Sequence, residues 1–279
     1  MFYLLLGILS NTTVFFVMKY SESHEGNRYA ATLFNYIVGM IISFLLMKEK
    51  VLFYNTPEGW FALGLALFNA VCMTGGIFIN QMNVGKNGAP LTATFGKMGV
   101  LIPIVLSAFL FREIPTVIQF IGLAAAVFAI VYINEEANGK TNIQSLPLLF
   151  VLFIVAGLID FNSKLYAEFG QVEIKDYYIF YSFVFDTVLS LILLLMRNRR
   201  IRKQDVVNGV MMGIPNQLIT YCMVNAVLYL PAYLAFPLAS AGVIVAVNIV
   251  NFSVFHEKLS PRELRATLMI GVALILLNM

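Results

Sequence analysis

"SAFLFREIPTVIQ" at residues 107–119 lies over "NFSVFHEKLSPRE" at 251–263, with Phe111-Arg112-Glu113 on Phe255-His256-Glu257. The offset from Glu113 to Glu257 is 144 residues, about half of the 279-residue chain. Lys19 in "FFVMKY" and Lys164 in "DFNSKLY" fall at nearly the same offset, and Ser43 and Ser190 at a slightly larger one. The chain therefore reads as two related halves, 1–139 and 140–279. Composition says what fills them. The residues are 60% hydrophobic and 12% charged, with a mean hydropathy of +0.84, whereas a soluble domain carries about 25% charged residues. No globular core can hide that much apolar surface, so lipid must solvate much of it.

A helix needs roughly 20 mainly apolar residues to cross a bilayer. Ten stretches qualify: 2–19, 29–47, 59–80, 90–110, 115–133, 146–166, 177–196, 206–229, 232–253 and 261–278. None alternates apolar with polar residues as barrel strands do. The N-terminus lacks a basic region and a cleavage site and reads as the first span, not a removable signal. The expected fold is an all-α polytopic membrane protein with ten transmembrane helices. Five helices per half force the second half to enter the membrane upside down. Such inverted repeats occur in secondary transporters, which hold substrate near the midplane between them.

Two five-helix repeats, a lysine ending the first helix of each, and a Phe-x-Glu turn before the fifth helix of each resemble the drug/metabolite transporter superfamily, EamA-like branch. The resemblance spans the whole chain. A glycine common nine residues after the glutamate is present as Gly122, while the second half has Ala266 there. The resemblance implies that the first four helices of each half surround a central cavity and the fifth lies outside. The residues point the same way: the fifth and tenth spans have the fewest polar groups, and polar side chains in a bilayer face the bundle interior.

Several spans carry polar stripes at helical spacing. The third has Asn69, Cys72, Gly76, Asn80 and Asn83; the seventh Tyr178, Ser182 and Asp186; the eighth Asn216, Gln217, Tyr221 and Asn225; the ninth Asn248 and Asn251. Such residues line a path or join helices. Prolines and glycines in the fourth, eighth and ninth spans (Gly96, Gly99, Pro103, Pro215, Pro237) predict kinks there.

The charges sort by depth. Asp160 and Lys164 are four apart, acid first, and are expected to pair along one helix. Lys19 snorkels to an interface, and Glu113 and Glu257 are expected to cap the helix that follows each. Two charges remain. Lys97 lies about 10 Å into the fourth span at the usual helical rise, and Asp186 is near the centre of the seventh. An intramembrane charge marks a functional site by default. The substrate-binding candidates are therefore Lys97, Asn80, Asn216, Gln217, Tyr221, Asn248, Tyr178 and Ser182, with Asp186 holding a coupling proton. A fixed Lys97–Asp186 ion pair is the alternative use of the two charges.

The expected activity is secondary transport of a small polar metabolite, amino acid-like or similar, across the plasma membrane by alternating access, with proton-coupled export the leading form. The first helix has no interior acid, whereas a small multidrug exporter is expected by resemblance to carry a glutamate there. Amine or multidrug efflux is the alternative, since the many aromatic residues can build a cation site. A channel or a lipid-modifying enzyme has less support: nothing resembles a selectivity filter, and no catalytic constellation converges. "GKMG" at 96–99 lacks the other parts of a phosphate-binding loop. Cys72, Cys222, His24 and His256 have no metal-ligand spacing, so no cofactor is expected. The net charge of +3, spread over loops, gives no support for nucleic acid as a partner. The expected partners are the substrate and the bilayer, and the alanines at 124–126 can seat a neighbouring helix of the same chain or of a homodimer. The basic loop 197–203 belongs in the cytoplasm by the positive-inside tendency, which puts both termini outside. Resemblance to eukaryotic relatives implies cytosolic termini.

Overall fold

In lipid a backbone must satisfy its own polar groups, which leaves helices as the natural outcome of long apolar runs. The computed structural model describes residues 1–23, 26–134, 145–197, 199–253 and 261–277, and among these every regular element is helical. The helices are α1 (Phe2–Ser23), α2 (Arg28–Leu46), α3 (Pro57–Asn87), α4 (Ala89–Met98), α5 (Leu101–Leu110), α6 (Val117–Asn134), α7 (Leu146–Phe169), α8 (Lys175–Arg197), α9 (Lys203–Val227), α10 (Ala232–Ser253) and α11 (Pro261–Leu277). A single turn of 3-10 helix, Val172–Ile174, leads into α8. Among the described residues seven helical segments are long and apolar enough to cross a membrane, with α4 and α5 together supplying one of them. The apolar parts of α6 and α11 are shorter, and α9, which carries Lys203, Asp205, Asn208, Asn216, Gln217 and Asn225, is not among the seven. The chain is an integral, multi-pass membrane protein.

Helix α3 outruns the expected span. Its 31 residues extend about 46 Å at 1.5 Å per residue, well beyond the apolar stretch that ends near residue 80. Asn83 and Asn87 explain the extension. Asn83 donates to the Leu148 carbonyl at 2.9 Å, and Asn87 exchanges hydrogen bonds with the Ser145 backbone, accepting from its N–H at 2.9 Å and donating to its carbonyl at 3.2 Å. The last turns of α3 thus hold the start of α7.

The fourth span is two helices. The break at Gly99–Val100 is bridged by tighter i to i+3 bonds, from Gly99 N–H to Gly96 and from Val100 N–H to Lys97. Pro103 lacks an N–H, and its ring crowds the carbonyl of residue 99. Gly99 is also pressed against α7, where a Cβ on it would lie 2.9 Å from both the Ala156 Cβ and the Gly157 nitrogen.

The chain forms two compact units. The first comprises Met1–Thr74 and Leu165–Leu228, the second Gly75–Lys164 and Tyr229–Met279. In the first, α9 packs on α2 through Gly209 and Gly213. A Cβ on Gly209 would fall 2.6 Å from the Ala31 carbonyl oxygen, so only glycine permits the approach. Asp205, wholly buried, joins the starts of these two helices: Oδ1 accepts from Asn27 N–H at 2.7 Å and Oδ2 from Arg202 N–H at 2.9 Å. An acid at helix N-termini is electrostatically favourable. An aromatic core of Tyr36, Tyr166, Tyr177, Tyr178 and Phe183 fills the space beside α8.

In the second unit α6 packs on α11, with Gly122 against Ala273 and Leu276. Ala129, Ala241 and Ile270 bring α10 to the same core, and Ala126 is wholly buried. The opposite faces of α6 and α11 are exposed at Val117, Phe120, Phe128, Leu268 and Val272, as expected of helices bordering lipid.

Candidate functional site

The first unit contains Tyr178, Ser182, Asp186, Asn216, Gln217 and Tyr221. Asp186 lies midway along α8 and is 2% exposed. Its Oδ1 has no hydrogen-bond partner, and Tyr36 of α2 and Tyr178 lie within its electrostatic reach. A carboxylate left this way in a low-dielectric interior is costly unless a proton or a cation joins it. Ser182 turns its hydroxyl back to the Tyr178 carbonyl at 2.9 Å, and the Tyr178 ring stacks on Tyr166 with centroids 4.2 Å apart. On α9, Asn216 donates to Asn35 Oδ1 of α2 at 3.1 Å. Gln217 is 1% exposed and its Oε1 is without a partner. Asn225 accepts from the Lys175 ammonium at 2.6 Å and donates to the Tyr221 carbonyl at 2.7 Å. That ammonium also lies 5.5 Å from the centre of the Tyr221 ring.

The second unit contains Lys97, Asn80 and Asn248. Lys97 sits in the last turn of α4, just before the break. It is exposed, as is Asn80. The charge that acts on Lys97 is Asp160 of α7, with no direct ion pair between them. Asn248 donates to Thr267 of α11 at 2.9 Å, a contact that joins two helices.

Two expectations are corrected here. Asp160 and Lys164 do not pair along α7: Lys164 reaches Glu113 at 2.5 Å, and Asp160 acts on Lys97 instead. Nor does Glu113 cap the helix that follows it. Its Oε2 accepts from the N–H of Ala232, the first residue of α10, at 2.7 Å. Arg112, at φ 58°, takes the left-handed backbone conformation immediately before it, so the chain turns sharply there. Lys97 and Asp186 belong to different units, and each has its own neighbours: Asp160 for the lysine, Tyr36 and Tyr178 for the aspartate. Glu257, His24 and His256 lie outside the described residues.

Sequence reasoning missed Asp160 and Tyr36 as site neighbours. Tyr36 had a signal, since Tyr36, Gly39 and Ser43 recur on one face of α2. Asp160 had a misleading one, because the four-residue spacing to Lys164 offered a nearer partner. Among the described residues no group of His, Cys, Asp and Glu side chains is placed to hold a metal ion.

Residues 1–135 match the family model described as the EamA-like transporter family. A solved crystal structure has the same fold, with a TM-score of 0.76, covering 99% of this chain and 94% of its own at 14% identity. It is one of 28 matching chains of solved structures. Among curated proteins none matches.

Proposed function

We propose that this chain, whose residues 1–135 match the EamA-like transporter family, is a member of that family and a proton-coupled secondary transporter of a small polar, amino acid-like metabolite in the plasma membrane. In this reading ten transmembrane helices form two inverted repeats, 1–139 and 140–279, that alternate access to a site near the midplane. The family is one of membrane transporters and not of enzymes, which supports the broad class. The observation that carries the finer reading is Asp186: a buried acid inside a spanning helix, one oxygen unpartnered, with tyrosines beside it. A group of that kind is suited to take a proton on one side and release it on the other. Lys97, exposed and attracted by Asp160 without touching it, is suited to an anionic group of the substrate. Asn80, Asn216, Gln217, Tyr221, Asn248, Tyr178 and Ser182 supply the remaining candidate contacts, and a homodimer is the proposed assembly. Export of amines is the second reading, favoured by the same acid-and-tyrosine cluster, which has the chemistry of a cation site.

The test is flux in proteoliposomes for a panel of amino acids, sugars and amines, with and without a pH gradient. The expected result is gradient-dependent movement of one substrate class, lost in Lys97→Ala with the folded protein retained. Ungated flux of every solute would point to a channel and overturn the proposal.

A further inference from the structure

The two ends of the first unit differ in charge. Arg197, Arg199, Arg200, Arg202 and Lys203 lie within seven residues at the passage from α8 to α9, and all five are exposed. The fold adds exposed cations from two other helices. Asn27 Nδ2 donates to the Arg200 carbonyl at 2.5 Å and Asn27 N–H to Asp205 at 2.7 Å, so the start of α2, with Arg28, meets the start of α9. Gly26 N–H donates to the Ser21 carbonyl at 3.1 Å, which brings in the end of α1, with Lys19. Residues 19–28 and 197–205 together hold seven Lys and Arg against three acids, Glu22, Glu25 and Asp205. Asp205 is wholly buried. At the other end, where the Tyr181 hydroxyl of α8 donates to the Leu52 carbonyl, residues 48–58 and 168–176 hold three Lys and five acids. The cations also share a depth. The apolar spans are Phe2–Ser21, Arg28–Leu46 and Val172–Arg197, so Arg28 and Arg197 stand at span boundaries and Lys19 two residues from one. Exposed Leu195 and Met196 precede Arg197, and exposed Ile201 stands between Arg200 and Arg202. A surface that mixes cations with apolar side chains at the end of a span meets phosphates and acyl chains together.

We propose that this end of the first unit binds the headgroups of anionic phospholipids. Clusters of four to eight Lys and Arg beside a membrane span attract anionic lipid, each cation being worth about fivefold in affinity. Arginine suits the role, since its planar fork of N–H donors matches phosphate oxygens. Arg199 donates Nε–H to the Leu195 carbonyl at 3.0 Å, which holds its guanidinium beside the end of α8. A zwitterionic headgroup carries an ammonium with its phosphate and gains far less. Orientation by the positive-inside tendency needs only the basic loop itself and leaves the addition of Arg28 and Lys19 unexplained. The inference requires that the chain sit in a membrane and is independent of the transporter reading.

The experiment is native mass spectrometry of the purified full chain, stripped of lipid in a neutral detergent and titrated with dioleoyl phosphatidylglycerol or dioleoyl phosphatidylcholine. Glycerol 3-phosphate, a headgroup without acyl chains, is added as a competitor. The expected result is saturable binding of phosphatidylglycerol, about tenfold or more tighter than phosphatidylcholine and not displaced by equimolar glycerol 3-phosphate. In the triple variant Arg199→Gln, Arg200→Gln, Lys203→Gln it should weaken on the order of a hundredfold, at about fivefold per cation. Arg199→Lys with Arg200→Lys keeps the charge and should retain most of the binding. Lys48→Gln with Lys50→Gln, at the other end, should leave it unchanged. Lys203→Gln alone changes one exposed side chain and should cost about fivefold, so it stays informative if the triple variant misfolds. Equal affinity for the two lipids, undiminished binding in the triple and single variants, or an equal loss in the Lys48 and Lys50 variant would overturn the proposal. Displacement by equimolar glycerol 3-phosphate would also overturn it, in favour of a site for free phosphate esters.

Discussion

Glu113 serves two partners with its two oxygens, the Lys164 ammonium and the first N–H of α10, and so ties the α5–α6 turn to α7 and α10. Lys164 is only 2% exposed. Truncating one member of a buried charge pair costs about 3–5 kcal/mol, because the other charge is left in low dielectric. Glu113→Ala is therefore expected to lower stability by about 3 kcal/mol, read as a lower melting temperature in detergent. The double variant Glu113→Gln, Lys164→Met should recover most of the loss, since an apolar replacement of a buried pair is often neutral. Wild-type stability in Glu113→Ala would show that the pair contributes nothing. Arg112 makes the same point about backbone. A left-handed φ costs an ordinary residue about 1–2 kcal/mol, so Arg112→Gly should match or exceed wild-type stability, while Arg112→Val should fall below it.

Helix α9 meets α2 over Gly209 and Gly213, and no side chain fits there. Gly213→Leu would drive its side chain into Val38 and the Asn35 carbonyl, and overpacking in a well-filled site costs about 1–3 kcal/mol or more. The expected outcome is loss of the monodisperse peak on gel filtration, with Ile214→Leu, at an exposed neighbour, unaffected. The helical stretches themselves were legible, because twenty apolar residues between polar loops have few other fates. The interruption in the fourth span was legible in part: Gly96, Gly99 and Pro103 predicted a kink, and at Gly99–Val100 the helix tightens to i to i+3 bonding between α4 and α5. The use of the asparagine stripe on α3 was not legible. Asn80 is exposed and Asn83 is bonded to the start of α7, yet both sit at the same helical spacing, which says which face a residue is on and not what meets it. Partners distant in sequence are invisible to local spacing. That is why Lys164 was assigned to Asp160, four residues away, and not to Glu113, 51 residues away.

Each compact unit draws residues from both sides of position 139, and α3 and α7 carry the chain from one unit to the other. The halves read from the repeat and the units formed by contacts are thus different divisions of the same chain. An inverted repeat allows this, since equivalent helices of the two halves can pack together. The candidate site divides likewise, with Asp186 and the α9 stripe in one unit and Lys97 with Asp160 in the other. The sequence identified Lys97 and Asp186 as the costly charges but not their neighbours, because depth in a span is readable and tertiary partners are not. The proposed mechanism assigns coupling to Asp186 alone. Its most direct test compares Asp186→Asn with wild type in proteoliposomes, using the substrate found by the flux panel. Two modes are measured: accumulation driven by a pH gradient, and exchange of labelled for unlabelled substrate at equal pH. The account predicts that the variant keeps exchange and loses the gradient-driven accumulation. Accumulation undiminished in Asp186→Asn would contradict it.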